Sequence, residues 1–149
     1  MAIGISHRRH NEGKRKSWRG LVVDDMAMTR RAMWMALSAM GGQITTASNG
    51  AEAIEIVRLT AEKGLDFDII LTDVQMPVMD GLDTVAHLRK DGFTGPIIAI
   101  SGTEEKNIAE RCVAAGCDQF ISKSVTFEQL VSLVLGSCHG HIAKGAMAV

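Results

Sequence analysis

Residues 68–81 read DIILTDVQMPVMDG, and this stretch decides the fold. Ile69-Ile70-Leu71 is apolar without alternation, the pattern of a strand buried on both faces of a parallel sheet. The run stops at Asp73, and Met76-Pro77 and Asp80-Gly81 break the chain before helical periodicity resumes over 81–90. A carboxylate is thereby placed at the carboxyl end of a buried strand, where open α/β sheets hold their ligands.

The same device recurs on either side. Leu21-Val22-Val23 ends at Asp24-Asp25, Ile97-Ile98-Ala99-Ile100 at Ser101, and Phe120-Ile121 at Lys123. With a further run at 43–47, the predicted strands are 19–23, 43–47, 67–72, 96–101 and 119–122. Helical periodicity fills 27–40, 50–63, 81–90, 104–115 and 126–135. Five such alternations predict one parallel sheet with helices on both faces. Gly41-Gly42, Asn49-Gly50 and Gly116 punctuate helix boundaries, and Thr103 and Thr126, each followed by acids, read as helix starts.

A chain of 149 residues, 46% apolar and 22% charged, has the length and composition of one globular domain. No apolar run reaches the length of a membrane span, and no apolar signal region follows the basic start, so a cytoplasmic location is expected. Residues 1–20 carry a net charge of +5 and the remainder −6. The expected organisation is a basic flexible extension over 1–17, a domain over 18–136 and a small-residue tail over 137–149, with no DNA-binding domain. Cys112, Cys117 and Cys138 form no paired framework, and Cys138-His139-Gly140-His141 lacks a fourth ligand, so the tail is read as solvated.

The strand-end residues have a joint chemical meaning. Asp24, Asp25 and Asp73 would repel one another unless a cation shared the site. An oxygen-rich pocket with few protein ligands suits Mg²⁺ or Mn²⁺, with phosphate as the natural co-ligand. Lys123 and Ser101 would then hold phosphoryl oxygens, leaving Asp73 as nucleophile and an aspartyl phosphate as product.

These residues resemble the phosphoacceptor site of the response-regulator receiver family. The stretch 68–81 matches its signature, and Asp24-Asp25, Ser101 and Lys123 match the other positions in order and spacing over about residues 18–136. The resemblance implies a flavodoxin-like, doubly wound five-stranded sheet in the order 2-1-3-4-5. It implies phosphoryl transfer to Asp73 from a phosphohistidine of a sensor kinase or histidine phosphotransfer protein. The metal would lie on Asp25, Asp73 and the main-chain carbonyl of Gln75, with Asp24 acting through water. Ser101 and Phe120 would form the switch that alters a surface for a downstream effector, the protein being a monomer or weak dimer. Ser124 stands where the family usually has proline after the lysine, so a trans Lys123–Ser124 bond is expected. Gln75 and Thr103, two residues beyond Asp73 and Ser101, are placed to overhang the site.

On the first helix a buried stripe through Thr29, Ala32, Met33, Ala36, Leu37 and Met40 is expected, which leaves Trp34 and Met35 outside it. With Met26 and Met28 they are candidate docking residues for a phosphohistidine helix, as the resemblance implies. The leading reading is a signalling module and not an enzyme. The alternatives are a Mg²⁺-dependent phosphohydrolase working through an aspartyl phosphate, a phosphorelay receiver detached from a hybrid kinase, and a receiver reduced to a binding surface. Gln75 argues against a phosphohydrolase, which would want an acid at that position.

Overall fold

The computed structural model describes residues 17–102 and 105–142, with residues 127 and 138–142 described by their backbone alone. Strands β1 (Trp18–Val23), β2 (Gly42–Ala47), β3 (Ile69–Asp73), β4 (Ile97–Ser101) and β5 (Gln119–Ser122) alternate with helices α1 (Ala27–Ala39), α2 (Gly50–Glu62), α3 (Gly81–Lys90), α4 (Ile108–Ala115) and α5 (Phe127–Ile142). All strand pairs are parallel, in the order β2-β1-β3-β4-β5. The chain thus runs outward from β1 in both directions, and the reversal lies between β1 and β3. Asp24 directly follows β1 and Asp73 ends β3, so the two meet at the switch point.

Alternation along the central strands divides the core. Leu21, Val23 and Ile70 point to a layer with Ala53 of α2, Val85 and Leu88 of α3, and Ile108 and Cys112 of α4. Val22, Ile69, Leu71, Ile98 and Ile100 point to the other layer, where Met33 and Leu37 of α1 and Leu130 and Val134 of α5 cover them. Both faces of β3 and β4 are therefore apolar, which is why their sequences show no alternation. The edge strand β2 does alternate in burial, with Gln43 and Thr45 exposed.

Two helix boundaries and the buried ridge of α1 differ from the sequence reading. Helix α4 begins at Ile108, later than the predicted 104, because Asn107 adopts the left-handed conformation (φ 71°) and residues 105–107 offer no apolar side chain to bury. The expected start at Thr103 lies outside the described residues. Helix α5 runs to Ile142, past the predicted end at 135: Leu130, Val134 and Ser137 continue one buried stripe, so residues 137–142 are helical and not tail. Its predicted start holds, with Thr126 Oγ1 accepting from the Gln129 N–H (3.2 Å) and Gln129 Oε1 accepting from the Thr126 N–H (3.0 Å). On α1 the buried ridge is only Met33 and Leu37, flanked by half-buried Thr29 and Ala36; Ala32 and Met40 are exposed. The helix packs chiefly on the edge strand β2, and a narrow ridge suffices to cover it. Residues 1–16 of the expected basic extension over 1–17, and residues 143–149, lie outside the described residues. No helix of the described residues is long and apolar enough to cross a membrane.

Far from the site along the chain, Arg89 at the end of α3 donates to the carbonyls of Gly116, Phe93 and Gly95 and to Asp118 at 2.7–3.0 Å. Asp118 also accepts the Ile97 N–H at 2.8 Å, so this one guanidinium joins α3 to the entrances of β4 and β5.

Candidate functional site

The carboxyl ends of β1, β3, β4 and β5 bring the sequence-predicted residues together. Asp24 and Asp73 are buried, each about 4% exposed, whereas Asp25 lies open to solvent. One carboxylate oxygen from each of the three lies within 4.8 Å of the others. Lys123 reaches over them, its Nζ donating to Asp73 Oδ2 at 3.0 Å and standing 3.9 Å from Asp24 Oδ2. Ser101 is fully buried at the end of β4, level with Ser122 of β5.

Main-chain hydrogen bonds hold this arrangement. The Asp24 N–H donates to the Ala47 carbonyl (3.1 Å), and Asp24 Oδ1 accepts the Met26 N–H (2.8 Å), which turns the chain into α1. Arg30 Nη1 closes the first turn of α1 on the Asp24 carbonyl at 2.7 Å. On the β3 side the Gln75 N–H donates to Asp73 Oδ1 (3.2 Å), and the Gly81 N–H donates to the Val74 carbonyl (2.8 Å), folding the Met76–Asp80 loop back onto the strand. A Cβ on Gly81 would overlap the Asp73 carbonyl oxygen, so only glycine lets α3 start this close. Asp80 caps α3 by accepting the Leu82 N–H at 2.6 Å. Within the loop, exposed Val78 has φ 73°, a conformation β-branched residues avoid.

Electrostatics follow from this crowding. Burial is the main reason that the Asp24 carboxyl sits above the usual carboxylate range; the Met26 N–H opposes it, and repulsion from Asp73 and Asp25 adds to burial against the attraction of Lys123. Burial by itself would lower the Lys123 ammonium, but the hydrogen bond and charge of Asp73, with Asp24 and Asp25 behind it, raise it above the ordinary lysine range. Three clustered carboxylates against one ammonium leave an excess of negative charge held on hard oxygen donors. The donor set therefore fits a hard divalent cation.

A raised folded-state value means that Asp24 favours the fold below its unfolded value, and this contribution is lost as pH rises through the raised one. The metal-free protein should accordingly gain stability on mild acidification from neutral pH. Asp24→Asn, whose amide oxygen can still accept the Met26 N–H, should raise the thermal midpoint of the metal-free protein at neutral pH and flatten that pH dependence. It should also weaken the stabilisation conferred by added Mg²⁺; thermal scans across pH, with and without Mg²⁺, measure both effects.

Phe120 is half-buried and packs against the layer that contains Ile108 and Cys112. Gln75 is exposed, and Thr103 lies outside the described residues. None of the described peptide bonds is cis, so Lys123–Ser124 is trans as expected. Met26, Met28, Trp34 and Met35 are 54, 83, 48 and 56% exposed and continue from the acidic cluster along α1. Sequence reasoning did not single out Arg30; its spacing after the acidic pair, one helical turn into α1, is the signal that could have found it.

The family description "Response regulator receiver domain" matches residues 21–135. The chain is 44% identical over 115 residues to two-component system protein A of Emericella nidulans, a match covering 76% of this chain and 16% of that protein. It is 36% identical over 118 residues to a two-component response regulator of Oryza sativa subsp. japonica, covering 78% of this chain and 91% of the relative. The chain thus spans nearly the whole of one relative and about a sixth of the other. Among solved structures, the response regulator protein TrrA of Thermotoga maritima, in complex with Mg²⁺ and BeF, superposes with a TM-score of 0.66 at 29% identity, covering 79% of this chain and 96% of that one.

Proposed function

The chain belongs to the response-regulator receiver family, and from that membership we propose that Asp73 accepts a phosphoryl group from a phosphohistidine of a sensor kinase or histidine phosphotransfer protein. The observation that carries this reading is the buried Asp73 carboxylate, hydrogen-bonded to Lys123 and clustered with Asp24 and Asp25. An oxygen of Asp73 forms the new bond to phosphorus as the phosphorus–nitrogen bond of the donor breaks, and the departing imidazole retains a proton. Lys123, already 3.0 Å from Asp73 Oδ2, passes its hydrogen bond to a phosphoryl oxygen as the charge arrives there. Ser101 supplies a hydroxyl to a second oxygen.

Asp25, Asp73 and the main-chain carbonyl of Gln75 would hold Mg²⁺ or Mn²⁺, with Asp24 through water; when bound, the ion neutralises the carboxylates and the transferring group. The TrrA structure, in complex with Mg²⁺ and BeF, supports the presence of a divalent metal at this site. Movement of Ser101 toward the phosphoryl group would open space for the Phe120 ring and so alter the face formed by α4, β5 and α5, the proposed contact for a downstream effector. A phosphorelay step is the second reading, favoured by the 16% share of the Emericella protein that the chain covers, since there the matching region is a small part of a longer two-component protein.

Incubation with Mg²⁺ and phosphoramidate tests the acceptor role against hydrolysis. Stoichiometric gain of one labile phosphoryl group is expected, and rapid multiple turnover of a phosphomonoester would contradict the assignment.

The exposed residues Met26, Met28, Trp34 and Met35 are the proposed docking face for the donor helix. Trp34→Ala should slow phosphotransfer from a cognate histidine donor by about tenfold, the effect of losing one interface anchor, while leaving phosphorylation by acetyl phosphate unchanged. Stopped-flow comparison of the two donors checks this; equal slowing with both would remove Trp34 from the interface.

A further inference from the structure

We propose that the hydroxyls of Ser122 and Ser124 form a clamp that sets the position of Lys123 over Asp73, an inference that rests on the phosphoacceptor reading. Lys123 lies between these two serines at the exit of β5. On its amino side its own N–H is fixed to the Ser101 carbonyl at 2.8 Å. On its carboxyl side a trans bond leads to Ser124, which has a free φ and an N–H where proline would have neither. Ser122 Oγ meets both demands: it accepts the Ser124 N–H at 3.3 Å and shares a hydrogen bond with Ser124 Oγ at 2.9 Å. The Val125 N–H donates to the Ser122 carbonyl at 3.2 Å and closes the turn. Lys123 is thus held inside a turn in which two of these three bonds involve a serine hydroxyl.

The lysine stem lies against Gly102, and Nζ reaches Asp73 at 3.0 Å. A group that must meet a transferring phosphoryl is sensitive to displacements of about 1 Å, so the geometry of this turn bears on the reaction. Ser122 and Ser124 are exposed, and truncating them leaves no cavity in the core. They are positioning residues, acting only through Lys123.

The test uses the full chain with Ser122→Ala, Ser124→Ala, the double variant and Ser124→Thr, and measures affinity for Mg²⁺ alone, affinity for beryllofluoride in the presence of Mg²⁺, and the thermal midpoint. Each alanine variant should weaken beryllofluoride binding about 3–10-fold, as expected for one neutral hydrogen bond. The double variant should be little worse than the weaker-binding single, because both hydroxyls serve one clamp. Affinity for Mg²⁺ alone should not fall, and Ser124→Thr should restore beryllofluoride binding. Unchanged beryllofluoride affinity in the double variant would overturn the clamp. So would a parallel fall in both affinities and the thermal midpoint, the mark of a general structural role. Failure of the unsubstituted protein to bind beryllofluoride with Mg²⁺ would instead overturn the acceptor reading, and the clamp with it.

Discussion

Lys123→Ala should slow phosphoryl acceptance from a small phosphodonor by about 10²–10³-fold, the usual cost of deleting one preorganised donor to developing negative charge. The reason is the position of Nζ, at 3.0 Å from Asp73 Oδ2 and 3.9 Å from Asp24 Oδ2, where it also balances two buried carboxylates. Removing the ammonium should therefore act in the opposite sense on the metal: with less positive charge to compete, Mg²⁺ should bind at least as tightly as before. Without metal, buried Asp24 and Asp73 would be left with no lysine beside them, so the metal-free variant should be less stable and should recover more of its stability on adding Mg²⁺. Rates of acceptance from phosphoramidate, set beside Mg²⁺ titrations and thermal scans of the same variant, separate these effects. Equal loss of metal binding and acceptance would mean that Lys123 supports the whole site and not the phosphoryl group.

Gly81→Ala should lower stability by about 2–3 kcal/mol, the upper part of the range for overpacking. The added Cβ would collide with main-chain atoms, the carbonyl of Asp73 and the Cα of Val74, which cannot rotate away as a side chain does. Relief requires α3 to retreat from β3, and the Gly81 to Val74 hydrogen bond that folds the loop would stretch with it. Acceptance by the folded fraction should fall as well, because the displaced backbone carries the proposed nucleophile. Gly64→Ala is the matched control: nothing lies within 4 Å of its Cβ, but φ is 73°, so it should cost about 1 kcal/mol and leave acceptance unchanged. Urea titrations give both stabilities, and a shift in midpoint without a change in slope identifies loss of native-state stability.

The sheet and its ligand edge were legible because the relevant signals are local. Ile69-Ile70-Leu71 and Ile97-Ile98-Ala99-Ile100 carry their double-faced burial in their own composition, and each ends at the polar residue that the fold then presents. The strand order, with β3 central, was expected from the family resemblance that these strand ends carry, and the sheet has it. What escaped was tertiary. The start of α4 depends on a left-handed Asn107 that composition does not mark. The length of α5 depends on a stripe continuing through Ser137, a residue that by type reads as exposed. The narrow buried ridge on α1 depends on the helix lying over the sheet edge, which exposes Ala32 and Met40. Within the site, the carboxylates and the lysine were readable from type and position. Arg30 and the Ser122–Ser124 turn were not, because their roles arise from main-chain and hydroxyl partners that only the folded chain brings within reach.

The same distinction explains why the site's chemistry is clearer than its readout. In the proposed mechanism Asp73 acts through atoms within hydrogen-bonding distance, whereas the proposed effector face is spread over α4, β5 and α5. Val113 on α4 and Leu133 on α5 are exposed apolar residues of these helices. Double-mutant cycles between these positions and Phe120, read as effector affinity with and without beryllofluoride, would give the coupling between site and surface directly.

The central claim, acceptance of a phosphoryl group on Asp73, is tested most directly by intact-mass and peptide-level mass spectrometry after brief incubation with Mg²⁺ and phosphoramidate. The expected result is a single alkali-labile phosphoryl group on the peptide that contains Asp73, absent without Mg²⁺ and absent in Asp73→Asn. An adduct that persists in Asp73→Asn, or no adduct on the unsubstituted protein, would contradict it.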